Sequence, residues 1–113
     1  MTRAVRLSRR LTLEAREVAP DGSGGQTVSW RALGVLWAEV TARTGREVFA
    51  GERPASRVPY RIVVRGAPVG APSRPRAEQR LREGERVFDI LAVAEADPAG
   101  RYLEIVAEEG VAS

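Results

Sequence analysis

The stretch VPYRIVVR, Val58 to Arg65, decides what kind of fold this chain can adopt. Val58, Tyr60, Ile62 and Val64 alternate with Pro59, Arg61, Val63 and Arg65. That period of two gives a strand one apolar face for burial and one largely basic face. Pro59 has no N–H to donate to a ladder, so it belongs at the start of this strand or on an edge.

The same period recurs on both sides. Upstream, RLTLEAREV (10–18) sets Leu11 and Leu13 against Thr12, Glu14 and Arg16. DGSGG, Asp21 to Gly25, is a reversal, because glycine supplies the positive φ values that tight turns need. In TVSWRALGVLWAEVTAR (27–43) the second half reads as a strand, with Trp37 and Glu39 on one face and Ala38, Val40 and Ala42 on the other. Downstream, RVFDILAVAEADPAGRYLEIVAEE (86–109) reads as a hairpin that reverses at ADPAG.

Two segments lack this pattern. TGREVFAGERPAS (44–56) has room for one helical turn near Glu47 to Ala50. GAPVGAPSRPRAEQRLREGE (66–85) opens rich in Pro and Gly, which predicts an extended loop over 66–80. About five short strands, one short helix and long loops predict a mainly β fold. It is a small antiparallel β-barrel or sandwich in a single domain over 1–113, with residues 1–6 as a flexible arm.

Composition narrows the chemistry. The chain of 113 residues has no Cys and no His, and its 18 basic side chains are all Arg. Without Cys there is no disulfide framework or thiolate ligand, and without His the commonest general base and metal ligand are both missing. Without Lys there is no Schiff base and no P-loop lysine. These gaps argue against an enzyme and predict no catalytic residues, no metal and no cofactor. No apolar run reaches the roughly 20 residues that span a bilayer, and MTRAVRLSRR lacks the apolar core of a secretory signal. A chain that works where it is made, without a membrane, is expected.

The net charge of +3 is modest, and Arg and Glu interleave in LEARE, TGREVFAGER and LREGER. Mixed signs suit a solvated or interface surface better than a one-sided nucleic-acid footprint. Arg in place of Lys, beside abundant Ala, Gly and Val, points to a GC-rich genome. Asp89 interrupts the apolar run ERVFDILAV (85–93). With no His or Lys beside it, Asp89 is expected on the wet face of a strand near a barrel rim, not at a catalytic centre. In a core short of aromatics, Trp37 is expected to be structural, while Trp30, next to a turn, is evenly placed between core and interface.

Taken in order, these segments resemble the bacteriophage head–tail joining proteins, also called head closure or stopper proteins. The likeness runs through Leu7, Arg10, Leu11, Leu13, Gly24, Gly25 and Trp30. It continues through Trp37, Ala38, Val40, Gly45, Arg46 and Glu47, then Arg61 and Arg65. It ends in the closing hairpin with Val87, Phe88, Ile90, Leu103 and Glu104. The chain departs from the family at Pro59 and in the Pro-rich 66–76 stretch.

The resemblance implies a structural protein of a virion or phage-like particle, from a prophage or gene transfer agent, made in the bacterial cytoplasm. It implies a homo-oligomeric ring of six or twelve copies in the neck. A portal or adaptor would lie above, a tail terminator or tail tube below, and packaged double-stranded DNA would be held without sequence preference. The ring-interface or channel-loop candidates are then Trp37, Glu39, Arg43, Arg46, Glu47, Arg53, Arg57, Arg61 and Arg65. Arg61 and Arg65 are expected to pair with Glu39 or Glu47 of a neighbouring copy. The long-loop candidates are Arg74, Arg76 and Arg80. The alternatives are a small basic β-barrel that binds nucleic acid, a tail-terminator ring and a hydrolase built on carboxylates alone. The last would need two acids at a defined separation.

Overall fold

The computed structural model describes residues 4–43 and 57–110. Six strands form there: β1 (Arg9–Pro20), β2 (Gln26–Ala42), β3 (Arg57–Arg65), β4 (Arg80–Glu83), β5 (Arg86–Glu95) and β6 (Tyr102–Gly110). All pairings are antiparallel, and the strands close into a barrel in the order β1-β2-β3-β6-β5-β4. Closure removes the open sheet edges that would otherwise invite aggregation. The expected antiparallel β-barrel is therefore observed. The helical turn expected near Glu47 to Ala50 lies outside the described residues.

Alternation fills the interior as the sequence requires. Leu11 and Leu13 of β1, Ala38 of β2, Ile62 and Val64 of β3, Leu81 of β4, Phe88 and Ile90 of β5, and Leu103, Ile105 and Ala107 of β6 form one buried cluster. Full burial of each large apolar side chain is worth about 1.5–3 kcal/mol, so the closed barrel is the stable part of the molecule. Val63 is buried too, although its parity points it outward.

β4 begins at Arg80, the last residue of the expected 66–80 loop, and runs through a segment with no strand periodicity. Its four residues complete the barrel through Thr12↔Arg82, Leu13↔Leu81 and Glu14↔Arg80. So short a strand carries little periodic signal, and tertiary pairing decides its state. The rest of that loop packs back on the barrel instead of extending from it. Pro75 is fully buried and Gln79 nearly so. The Gly66 N–H reaches the Arg101 carbonyl at 2.7 Å, and successive turns close at Ala71, Arg74 and Gln79.

β2 is longer than expected, at 17 residues. Its register with β1 slips by one between Leu13 and Glu14, with Leu33 as the additional residue. Beyond this bulge β1 and β2 pair with each other alone, from Ala15↔Arg31 to Pro20↔Gln26, and project as a two-stranded ribbon. At the tip, Asp21 Oδ1 accepts the N–H groups of Ser23 (2.7 Å) and Gly25 (3.0 Å), fixing the reversal. The projection helps give the molecule extents of 58 × 35 × 23 Å.

Candidate assembly surfaces

Among the described residues, three groups of ion pairs and two exposed apolar patches on the barrel wall stand out. The first construction closes one end of the barrel interior. Arg9 donates to Glu83 through Nε at 2.8 Å and Nη2 at 2.6 Å. Arg86 holds Glu109 in the same two-toothed way, at 2.7 and 3.0 Å, and Arg86 Nη2 reaches the Tyr60 hydroxyl at 3.1 Å. The Arg86 guanidinium lies 5.0 Å from the Phe88 ring, and Tyr60 meets Phe88 edge-on with centroids 5.1 Å apart. Two cations and two carboxylates thus cap the apolar core with matched charge. Bidentate pairing makes such contacts stronger than point-charge pairs. The Arg9 and Arg86 bonds hold Glu83 and Glu109 below the usual carboxylate range.

The second construction sits where the ribbon leaves the barrel. The Glu14 side chain is nearly buried and accepts Arg80 Nε at 2.7 Å and Arg82 Nε at 2.9 Å. Burial pushes its carboxyl up, but the two guanidiniums outweigh that and lower it. Arg80 also lies over the Trp30 ring, 4.1 Å from its centroid, in a cation–π contact that fixes the ribbon's outward face. Arg80, expected in the long loop, is therefore a strand residue at the root of the ribbon.

The third construction settles Asp89. Asp89 and Glu108 stand directly opposite each other on β5 and β6, an unfavourable pairing of like charges. Arg57 bridges them, with Nη2 to Asp89 at 2.9 Å and Nε to Glu108 at 3.1 Å. The Asp89 side chain is half-exposed, on the wet face that the sequence suggested.

The remaining candidates are spread over the surface. Arg61 forms an ion pair with Glu104 of its own chain at 3.1 Å, so a pairing with a neighbour's acid would have to compete with it. Glu39 accepts the backbone N–H of Arg6 at 3.1 Å. Arg43 follows β2, exposed, with its N–H on the Pro59 carbonyl. Arg74 donates to the Ala67 carbonyl, and Arg76 is exposed. Arg46, Glu47 and Arg53 lie outside the described residues, as does most of the 44–57 loop.

Trp37 corrects an expectation. Instead of supporting the core it is 53% exposed, beside Val35 at 42%. The parity of β2 already put Trp37 on the face opposite Ala38, and Ala38 is the buried one. The second exposed wall position is Leu91, at a bulge in β5. Alternation along the run already puts Leu91 on the face of Asp89, opposite the buried Phe88 and Ile90. The register slip between Ile90 and Ala92 leaves Leu91 as the additional residue and turns the following Ala92 outward in place of Val93.

The sequence of the chain matches the phage head completion protein family over residues 2–110. This protein belongs to that family. Among solved structures, a chain in the virion of a native gene transfer agent particle is 50% identical. It aligns over 96% of this chain and 98% of that one, with a TM-score of 0.79. Protein SF1141 from Shigella flexneri 2a, known in solution, is 25% identical over 96% of each chain, with a TM-score of 0.65. No curated protein matches. The head completion protein's resemblance to head–tail joining proteins is thus matched by family membership along nearly its full length.

Proposed function

We propose that this head completion protein is a structural part of the neck of a phage-like particle, where it forms a ring, retains packaged DNA and docks the tail. The observation that carries the reading is the 50% identity, over almost the whole of both chains, to a component of a gene transfer agent virion. On this reading the portal or adaptor contacts one face of the ring and a tail terminator or tail tube the other. DNA in the channel meets Arg side chains that contact phosphate without reading bases. The work is mechanical, and no side chain is asked to carry out a reaction.

The barrel's build supports that reading. Its ionic constructions are satisfied within one chain and stiffen it, while Trp37, Val35 and Leu91 remain open for contact. Deletion of the gene in the source strain, followed by electron microscopy of the particles, tests the function. Normal tails beside tailless heads that have lost their DNA are expected. Complete, transducing particles would overturn the reading.

A further inference from the structure

The 66–79 loop folds back beside the root of the ribbon, and a cavity of about 280 Å³ lies between them. Arg31 and Leu33 of β2 line it from the ribbon, and Gly70, Ala71, Arg74 and Arg76 line it from the loop. A wider hollow continues from it to Arg16, sharing Ala15, Arg76 and Gln79 with the first. Two elements far apart in sequence thus bring four guanidiniums round one cleft.

Their hydrogen-bonding capacity is mostly unused. Arg16 and Arg76 make no ion pair with the described carboxylates, and the Arg74 guanidinium bonds only to the Ala67 carbonyl. Arg31 pairs with Glu17 through Nε alone, at 2.7 Å, which leaves its Nη groups without a partner among the described residues. The one carboxylate among the lining residues is Glu78, in the wider hollow.

Gln79 adds a neutral donor. It is only 7% exposed, and its Oε1 accepts the Arg76 N–H at 2.9 Å. That bond fixes which way the amide points. Its Nε2 has no partner among the described residues and is the group left to the cleft. A nearly buried donor of this kind is normally satisfied by water or by a ligand.

We propose that this cleft holds a phosphodiester group of double-stranded DNA. The choice of DNA rests on the neck reading above, and the cleft says which side chains make the contact. A tetrahedral oxyanion accepts donors from several directions at once, which suits guanidiniums arriving from two elements with an amide between them. The other residues lining the cavity, Ala15, Leu33, Gly70, Ala71 and Pro72, have no side-chain donor or acceptor with which to read a base edge. The contact is therefore to the backbone and independent of sequence.

Binding of a short labelled DNA duplex to the isolated chain, followed by anisotropy at several salt concentrations, tests the site. Arg74→Gln with Arg76→Gln should weaken binding about tenfold at low salt and lower the salt slope by about two. Arg6→Gln with Arg10→Gln removes the same charge from exposed positions near the start of β1 and should matter far less. Equal losses from the two pairs would show attraction to net charge alone and overturn the site, as would no binding by the native chain. Gln79→Glu keeps the acceptor for the Arg76 N–H, puts a carboxylate in place of the idle amide, and should abolish binding. Because Gln79 is nearly buried, a melt accompanies that variant, and Arg76→Glu repeats the charge reversal at an exposed position.

Inorganic phosphate at matched ionic strength is the second ligand. Phosphate bound by a chain with no affinity for the duplex would overturn DNA as the occupant and keep an oxyanion site. In particles, the Arg74→Gln, Arg76→Gln chain should enter the neck while the heads retain less DNA than native ones. Full DNA content with the variant in place would overturn the DNA contact and leave the neck reading standing. Complete particles from the deletion strain would instead remove the neck reading, and duplex binding that depends on Arg74 and Arg76 would stand as a property of the cleft.

Discussion

Strands β1 and β2 each live in two environments, and the bulge at Leu13/Glu14 divides them. On the barrel side, Leu11, Leu13 and Ala38 are sealed in the core, and the strands have further partners in β4 and β3. On the ribbon side the same two strands have only each other, and Val18 and Val28 face solvent as a cross-strand pair. A two-stranded ribbon is marginal by itself in water. This one persists because Asp21 pins its tip and the Glu14–Arg80–Trp30 group pins its root. The contrast teaches that extended structure reports pairing, whereas stability reports what covers the pair. The barrel half has a core to lose, and the ribbon half has almost none.

The largest expected effect therefore lies in the barrel. Phe88→Ala removes a fully buried ring that packs on Tyr60 and lies under Arg86, and should cost about 3–5 kcal/mol in chemical denaturation. A loss below about 1 kcal/mol would break the distinction between a stability-bearing barrel and a passive ribbon.

Acid is the next lever. The folded-state pKa values of Glu14, Glu83 and Glu109 are lowered, so each contributes stability above its unfolded value, about 4.3, and loses it as the pH falls through the folded value. With no His in the chain, a thermal melt should hardly change between about pH 6 and 8, where an unperturbed imidazole would titrate. Below about pH 4.3 it should fall progressively. A step near neutral pH would contradict the ion-pair origin of the effect.

Much of this division could be read from residues. The parity of VPYRIVVR, the hairpin at ADPAG and the turn at DGSGG all follow from local periodicity and turn chemistry, which depend on near neighbours. What escaped depends on distant ones. The strand character of Gln26 to Leu33 comes from pairing with β1, and that of Arg80 to Glu83 from pairing with β1 and β5. Register slips at Leu33 and Leu91 reverse which side chains face out beyond them, and nothing local in the sequence marks them. Trp37 was misread for a different reason. Its parity places it outward, against the general preference for burying large aromatics. The Arg–Glu pairings were legible as composition and not as partners, because Glu14 and Arg80 are 66 residues apart.

The root of the ribbon should respond at an intermediate level. Glu14→Gln keeps the shape but withdraws charge from two guanidiniums in a nearly buried position, and should cost about 1–2 kcal/mol. The Trp30 environment should change with it, since Arg80 is shared between the two. Loss of stability with unaltered Trp fluorescence would show that the carboxylate and the ring are not coupled.

The smallest effect on stability is expected at the ribbon's exposed pair. Val18→Ser with Val28→Ser removes apolar surface that is already largely in water, so the melt should move by less than about 0.5 kcal/mol. Hydrogen exchange sharpens the comparison. Ribbon amides have one pairing partner and no core behind them, so in the isolated chain they should exchange much faster than those of β3 and β6. If the ribbon is an assembly element, the same amides should become protected in particles, and the double Ser variant should lose that protection while folding normally. Equal protection of ribbon and barrel in the isolated chain would mean the ribbon is held by more than its tip and root. The two halves of β1 and β2 would then form one cooperative unit.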